Sequence, residues 1–412
     1  MFYIHFYIDE PNFLTMQLNK LSTQRILSID ALRGITILVM IFVNELAGMR
    51  DIPQWMRHMP ADVDAMSFVD VVFPGFLFIV GMSIPFALNN RIAKGDSFMQ
   101  LQQHILFRSL GLLVLGFFMV NAEEGIDAAA TGISLNVWSL LFFAAVIMIW
   151  KVYKTNNKTL VYILKAAGFV ILFVLAFIFR NEKGEPVSPH WWGILGLIGW
   201  AYLYSCIIYQ LCRGNVPVLI FFIAFCTAWY AAGHAGFVKD SASLQWIATQ
   251  SGNAAHTSVA LCGMVVSLLF FDEKKATVIS RRYLQVIIFI AALFIAGYFL
   301  RPFFHISKIY ATPTWCLWSA GFCSIIFCSL YWLIDIKKMQ GWTNFFKPAA
   351  SNPLLTYIIP DIIYYLTALL SISLWPESLS YGIPGICFSL FFAVAVMGVV
   401  ILLNKMHLRL QL

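Results

Sequence analysis

Ile26-Leu-Ser-Ile-Asp30-Ala-Leu-Arg33-Gly-Ile-Thr-Ile-Leu-Val-Met-Ile-Phe-Val-Asn44-Glu-Leu-Ala-Gly48 is an apolar run broken by very few polar residues. At 1.5 Å per residue it is long enough to cross a hydrocarbon core of about 30 Å as one helix. Comparable runs follow at 67–89, 104–121, 133–150, 160–179, 191–212, 215–233, 253–271, 283–300, 312–334, 350–372 and 382–404. The pattern predicts an all-α polytopic membrane protein, a bundle of about 12 (11–12) transmembrane helices. Composition agrees: the chain is 60% hydrophobic and 11% charged, where a soluble domain carries about 25% charged residues. Nothing in it reads as a second, soluble domain. The expected organisation is an N-terminal extension, 1–20, followed by one transmembrane domain, 21–412. Met16 is the expected natural start, because the first residues lack the basic region and cleavage site of a signal peptide.

The polar residues of the first run share one face. At 100° per residue Asp30, Arg33 and Asn44 fall at about 0°, −60° and −40°. Arg33 and Asn44 are eleven residues apart, about 16 Å along the axis, so the helix carries a polar stripe from one side of the membrane toward the other. An Asp30–Arg33 pair at i,i+3 would by itself stabilise the helix start. Asn44 reads either as a helix–helix hydrogen bonder or as part of a site.

The net charge of +7 invites a nucleic-acid reading, but its distribution is a topology signal. Counted by loop, twenty of the 27 Lys and Arg residues fall on one side of the expected membrane and seven on the other. The positive-inside rule then puts both termini in the cytoplasm and the segment between the first two spans outside. The eight cysteines lie in or beside apolar runs with no C-x-x-C spacing, the pattern of buried inert thiols rather than a metal site.

That outside segment concentrates ionisable groups: Glu45, Asp51, Arg57, His58, Asp62, Asp64 and Asp70. Charges kept at a membrane edge are expensive and mark functional sites by default. The second span opens with Ser67-Phe-Val-Asp70, where Ser67 is placed to cap the helix and Asp70 suits its positive N-terminal end. Pro74 should kink it, and Gly75 and Gly81 permit close helix approach. Asp70 could also orient an imidazole. His58 is the imidazole in question, able to act as general base or nucleophile near neutral pH, or to be a solvated loop histidine. A second long loop, 233–252, carries His234, with His256 just beyond.

Taken together these residues resemble the heparan-α-glucosaminide N-acetyltransferase family, in particular its shorter bacterial members. The resemblance rests on Arg25-Ile-Leu-Ser-Ile-Asp30-Ala-Leu-Arg33-Gly34, Asn44, His58-Met-Pro60 and Asp70-Val-Val-Phe-Pro74-Gly-Phe-Leu-Phe-Ile-Val-Gly81. It continues in Lys308 through Ser319 and in Asn352-Pro-Leu-Leu-Thr-Tyr357. It implies an acetyltransferase in the bacterial inner membrane, taking acetyl-CoA from the cytoplasm and needing no metal. An amino sugar or related glycan would be acetylated on the outer face. The family's catalytic His falls on His58 and its active-site Asn on Asn44, with Asp70 as orienting group. Arg25, Arg33, Arg108, Arg281 and Arg282 are the cations expected to hold the CoA phosphates. Asp62, Asp64, Lys308 and Asn352 are expected to face the acceptor. The expected partners are that acceptor and membrane lipids, with no nucleic acid, and the chain is compatible with a homodimer. Gly132-Ile-Ser-Leu-Asn136 and the loop from Glu45 to Arg57 depart from the family pattern. Two other readings stay open: an O-acyltransferase of an envelope glycan, and a proton-coupled transporter using Asp30, Asp70 and Asp361.

Overall fold

A computed structural model of the chain describes residues 21, 26–272, 278–373 and 376–412, apart from the side chains of residues 237 and 239. The expected N-terminal extension, 1–20, and Arg25 lie outside the described residues. The described residues form an all-helical integral membrane protein. Its principal helices are α1 (Leu27–Leu46), α2 (Val69–Ala93), α3 (Phe98–Glu123), α4 (Leu135–Trp150), α5 (Lys158–Ile178) and α6 (Gly193–Cys212). They continue with α7 (Val216–Gly233), α8 (Ser251–Phe271), α9 (Ile279–Leu300), α10 (Pro313–Tyr331), α11 (Pro353–Leu369) and α12 (Gly382–Lys405). Ten are long and apolar enough to cross a membrane, and α4 and α11 are shorter apolar helices. Each coincides with one of the expected runs.

The boundary shifts have local causes. α3 starts at Phe98 rather than near 104 because Ser97 and Gln100 form a reciprocal capping box there that satisfies two otherwise unpaired donors. α11 starts at Pro353 because Asn352 leaves helical geometry, ending the short helix Lys347–Ser351.

α8 is the central strut, buried along nearly its whole length, and packs most extensively on α2 and α7. Glycines permit the α2–α8 approach. A Cβ at Gly81 would lie 1.7 Å from the Ala260 carbonyl oxygen, and one at Gly263 would lie 2.0 Å from that of Phe78. Ser267 Oγ donates to the Met82 carbonyl across the same seam at 2.9 Å. By contrast α5 and α9 present Phe173, Phe177, Ile287 and Ile288 outward, as membrane-facing helices do.

α2 runs through Pro74 and Pro85 as one helix. Pro74 has no N–H to give the Asp70 carbonyl four residues back. That carbonyl instead accepts from Trp315 Nε1 on α10 at 3.1 Å. The proline thus locks the first turn of α2 to α10.

At the end of the bundle where α1 begins, Arg33 bonds Asp30 (3.4 Å), Ser83 Oγ (2.9 Å) and the Ala350 carbonyl (3.3 Å). The C-terminal tail is tied down at this end by Asn352, whose amide donates to Asn404 Oδ1 (2.8 Å) and the Leu408 carbonyl (2.9 Å). The Asn352 oxygen accepts from Leu410 N–H (3.1 Å).

Candidate active site

At the other end of the bundle, the 47–68 segment folds back over the start of α2 and brings His58 onto Asp70. Nδ1 of His58 lies 2.7 Å from Asp70 Oδ1. Asp70 Oδ2 accepts three more donors: Ser67 N–H (3.0 Å), Ser67 Oγ–H (3.2 Å) and Met59 N–H (3.3 Å). Ser67 therefore does not cap α2 as its position suggested. It serves the carboxylate, and Phe68 occupies the cap position without a side-chain bond. Asp70 is 1% exposed while the His58 side chain is 37% exposed. A carboxylate only accepts, so Nδ1 carries the hydrogen in this contact, and in the neutral form of the ring Nε2 is the nitrogen with the lone pair. This is the base–orienter pairing of hydrolase and transferase sites.

Lys308 completes the group from 250 residues away. Its Nζ is 3.1 Å from both Nδ1 and Nε2 of His58. The 301–312 loop that carries it is bolted to the 60–66 segment. Asp64 accepts from Arg301 Nε at 2.9 Å and from Ile306 N–H at 2.8 Å, and Ser307 Oγ donates to the Ala61 carbonyl at 2.9 Å. Ser307 N–H reaches Thr312 Oγ1 at 3.0 Å, closing the turn around Ala311, which takes a positive φ of 49°. Burial alone would raise the Asp64 carboxyl, but the Ile306 N–H and the Arg301 guanidinium outweigh it and hold the carboxyl below its ordinary range. For Lys308, burial dominates and draws the amine below the usual lysine range, with Asp70 acting in the opposite sense.

The space directly beside His58 is small, about 20 Å³, about what one water needs. Asn44 at the end of α1, Met40 and Ile194 line it and also line a neighbouring cavity of about 630 Å³. That volume is in the range of small-molecule sites. Glu45, Glu123 and Asp361 face this second cavity from α1, α3 and α11, with Tyr357 and Tyr364. Tyr364 OH is hydrogen-bonded to Glu45. The backbone of Arg50 exchanges hydrogen bonds with 380–382, where Ser380 lines the cavity.

Asn44, His58, Asp70 and Lys308 are thus gathered at one place. Asp62 lies exposed in the same loop. Asp64 pins the Lys308 loop and also lines a separate cavity of about 340 Å³ with Arg301 and His305. Asn352 is a correction: it is fully buried at the opposite end of the bundle, and both its amide groups are used by the C-terminal tail. The described members of the basic set each have their own surroundings. Arg33 is held by Asp30, Ser83 and Ala350, and Arg282 Nη1 donates to the Phe270 carbonyl at 2.6 Å. Arg281 is exposed. Arg108 lies over the Tyr202 ring at 4.7 Å with its Nε buried and unpartnered among the described residues. Asp30 is fourteen residues from Asn44 on α1, about 21 Å along the helix, so it joins neither Asp70 nor Asp361. His234 stacks on Tyr230, and His256 packs against Phe73 and Trp315 behind α2. Sequence reasoning placed Glu45 in the ionisable segment after the first span and gave Glu123 no role. Their position in the last turns of α1 and α3, both ending at the same face, was the available signal.

The family described as "domain of unknown function (DUF5009)" matches residues 25–251, which contain α1, α2 and the His58–Asp70 pair. Human heparan-alpha-glucosaminide N-acetyltransferase is 35% identical over 98 residues, 24% of this chain and 14% of that protein. The mouse protein of the same name is 32% identical over 101 residues, again 24% and 14%. The match therefore spans about a seventh of these relatives' length. The family match covers more than half of the described transmembrane domain, and on that ground the chain belongs to the DUF5009 family.

Proposed function

We propose that this protein is a membrane acyltransferase that moves an acetyl group from acetyl-CoA to the amine of an amino sugar or related glycan. The observation that carries the reading is the His58–Asp70 pair, with Lys308 against the imidazole and Asn44 lining the same small space as a donor for an acyl oxygen. The names of the human and mouse relatives support the same chemistry. The 20-to-7 distribution of basic residues supports transfer on the periplasmic face of a bacterial inner membrane, with acetyl-CoA supplied from the cytoplasm.

Thioester aminolysis needs a free amine, a base and donors for the tetrahedral oxyanion. His58 Nε2 takes the proton as the amine nitrogen bonds to the acetyl carbon, and Asp70 stabilises the imidazolium. Asn44 donates to the oxyanion. The carbon–sulfur bond then breaks, the thiolate takes the proton from His58, and CoA thiol and the N-acetyl product leave. If Nε2 instead attacks the thioester, an acetyl-imidazole forms first and the amine displaces it. The carboxylates of Glu45, Glu123 and Asp361 suit a cavity for a cationic or hydroxyl-rich acceptor next to the transfer point. Arg108 and Arg281 are the cations still offered to CoA phosphates.

The test is CoA release by purified protein given acetyl-CoA and a panel of amino sugars. Wild type should turn over with at least one of them, and His58→Ala should be slower by about 10³-fold or more. The reading fails if no acceptor supports turnover, or if His58→Ala keeps pace with wild type. Trapping of radiolabelled acetyl on His58 in the absence of acceptor would select the two-step route.

A further inference from the structure

The equal 3.1 Å distances from Lys308 Nζ to both ring nitrogens of His58 fix where the ammonium stands. The two nitrogens flank a single carbon. A point in the ring plane equally close to both at that distance would overlap this carbon, so Nζ lies over the face of the imidazole. In that position it does not occupy the in-plane lone pair of Nε2, and Asn44 lines the same small space as the ring. Nδ1–H is already committed to Asp70 at 2.7 Å.

We propose that Lys308 is a positioning residue that holds His58 neutral, setting the pH above which its Nε2 can act as base or nucleophile. The inference rests on the acyltransferase reading for its biological meaning, though its physics can be measured without turnover. A cation stacked on an imidazole opposes a second positive charge there, while a carboxylate favours it. Asp70 and Lys308 therefore act on His58 in opposite senses. Asp70 alone would favour the imidazolium and leave less free base at neutral pH. Lys308 restores the neutral form in the resting enzyme. When the imidazole takes the substrate proton, Lys308 favours passing it on, here to the departing thiolate.

Among the described residues no other charged group contacts the ring. On its own segment Arg57 is exposed, and Asp64 is turned to Arg301 and Ile306. From α1 the ring meets neutral Asn44, and from α6 Ile194. Glu45, Glu123 and Asp361 face the neighbouring cavity. The loop is built to hold Lys308 in place: Asp64, Ala61 and Thr312 all bond the backbone or side chains that flank it.

Two readouts test this. The first is the titration of the His58 Cε1–H resonance in protein with labelled histidine, assigned by its loss in His58→Ala. Lys308→Met should move the midpoint up by about one pH unit, the least that a neighbouring unit charge at this range produces. Lys308→Arg should leave it close to wild type. The second is the acid limb of kcat/KM for CoA release, which should move the same way in Lys308→Met and return in Lys308→Arg. Lys308→Gln replaces the Met variant if the latter proves unstable. An unmoved midpoint in the neutral variants overturns the proposal. So does an acid limb that stays in place while activity falls uniformly, as loss of a merely structural lysine would give. If wild type turns over no acceptor but the midpoint shifts as described, the functional reading falls and the Lys308–His58 coupling stands.

Discussion

Replacing Asp70 by Asn separates an orienting carboxylate from a structural one. Oδ2 receives three donors, Ser67 N–H, Ser67 Oγ–H and Met59 N–H. The amide nitrogen of Asn cannot sit there without facing hydrogen with hydrogen, so the amide oxygen takes that place. The NH2 group is then turned to His58 Nδ1, at the position Oδ1 holds 2.7 Å away. Nδ1 must accept, which moves the ring hydrogen to Nε2 and removes the lone pair that the chemistry uses. The same exchange on a catalytic imidazole elsewhere costs about 10⁴-fold in kcat, about 5.4 kcal/mol at 1.36 per decade. Folding is weakened as well, because all four bonds the carboxylate accepts change from charge-assisted to neutral, at about 1 kcal/mol each. The assay is single-turnover acetyl transfer at saturating acetyl-CoA, with thermal unfolding of the same preparation as control. Asp70→Asn within tenfold of wild type, in a protein with a native-like melt, would refute the orienting role.

Other consequences are open to measurement. Trp315→Phe leaves the Asp70 carbonyl, already deprived of a helical donor by Pro74, without its 3.1 Å partner; apparent stability should fall by about 1–3 kcal/mol and kcat with it, whereas an unchanged melt would show that this bond carries nothing. Glu45→Gln and Asp361→Asn should raise KM for the amine acceptor severalfold and leave KM for acetyl-CoA in place; equal changes in both would remove the cavity from the acceptor's path. The Asp64 carboxyl is held below its ordinary range, so its stabilising contribution is present above the unfolded carboxylate value and is lost as pH falls through the lower folded one. The gap in thermal midpoint between wild type and Asp64→Asn should accordingly be full at about pH 6 and close as pH approaches about 3; a gap independent of pH would mean that the charge of Asp64 does not clamp the 301–312 loop.

The spans were legible because eighteen or more apolar residues have one use in a chain of this composition, and a period of 3.6 put Asn44 on a definite face. The His58–Asp70 contact was within reach because only twelve positions separate the two and both bracket the start of a helix. Lys308 was different. No local pattern says that the loop after α9 folds over the segment before α2, and only resemblance singled it out. Asn352 was misjudged because a polar residue before a helix looks the same in sequence whether it meets a ligand or ties down a tail; its burial decides, and burial is tertiary. The acidic cavity was missed for a related reason. Glu45 and Asp361 were noted for different reasons and Glu123 for none, and the adjacency of α1, α3 and α11 that joins them is a property of packing alone.

The interlock of the 60–66 segment with the 301–312 loop also sets a clock. His58 and Asp70 are made early, but their third partner is 250 residues further along the chain. At about 5–20 residues per second a ribosome needs roughly 12–50 s to cover that distance. During this interval a nascent chain already displays the imidazole and its carboxylate in the membrane without Lys308 above them. A half-made chain, or one cut off before α9, therefore has the imidazole in a different electrostatic state from the finished protein. Acquisition of the mature His58 titration would report the completion of folding at the far end of the molecule.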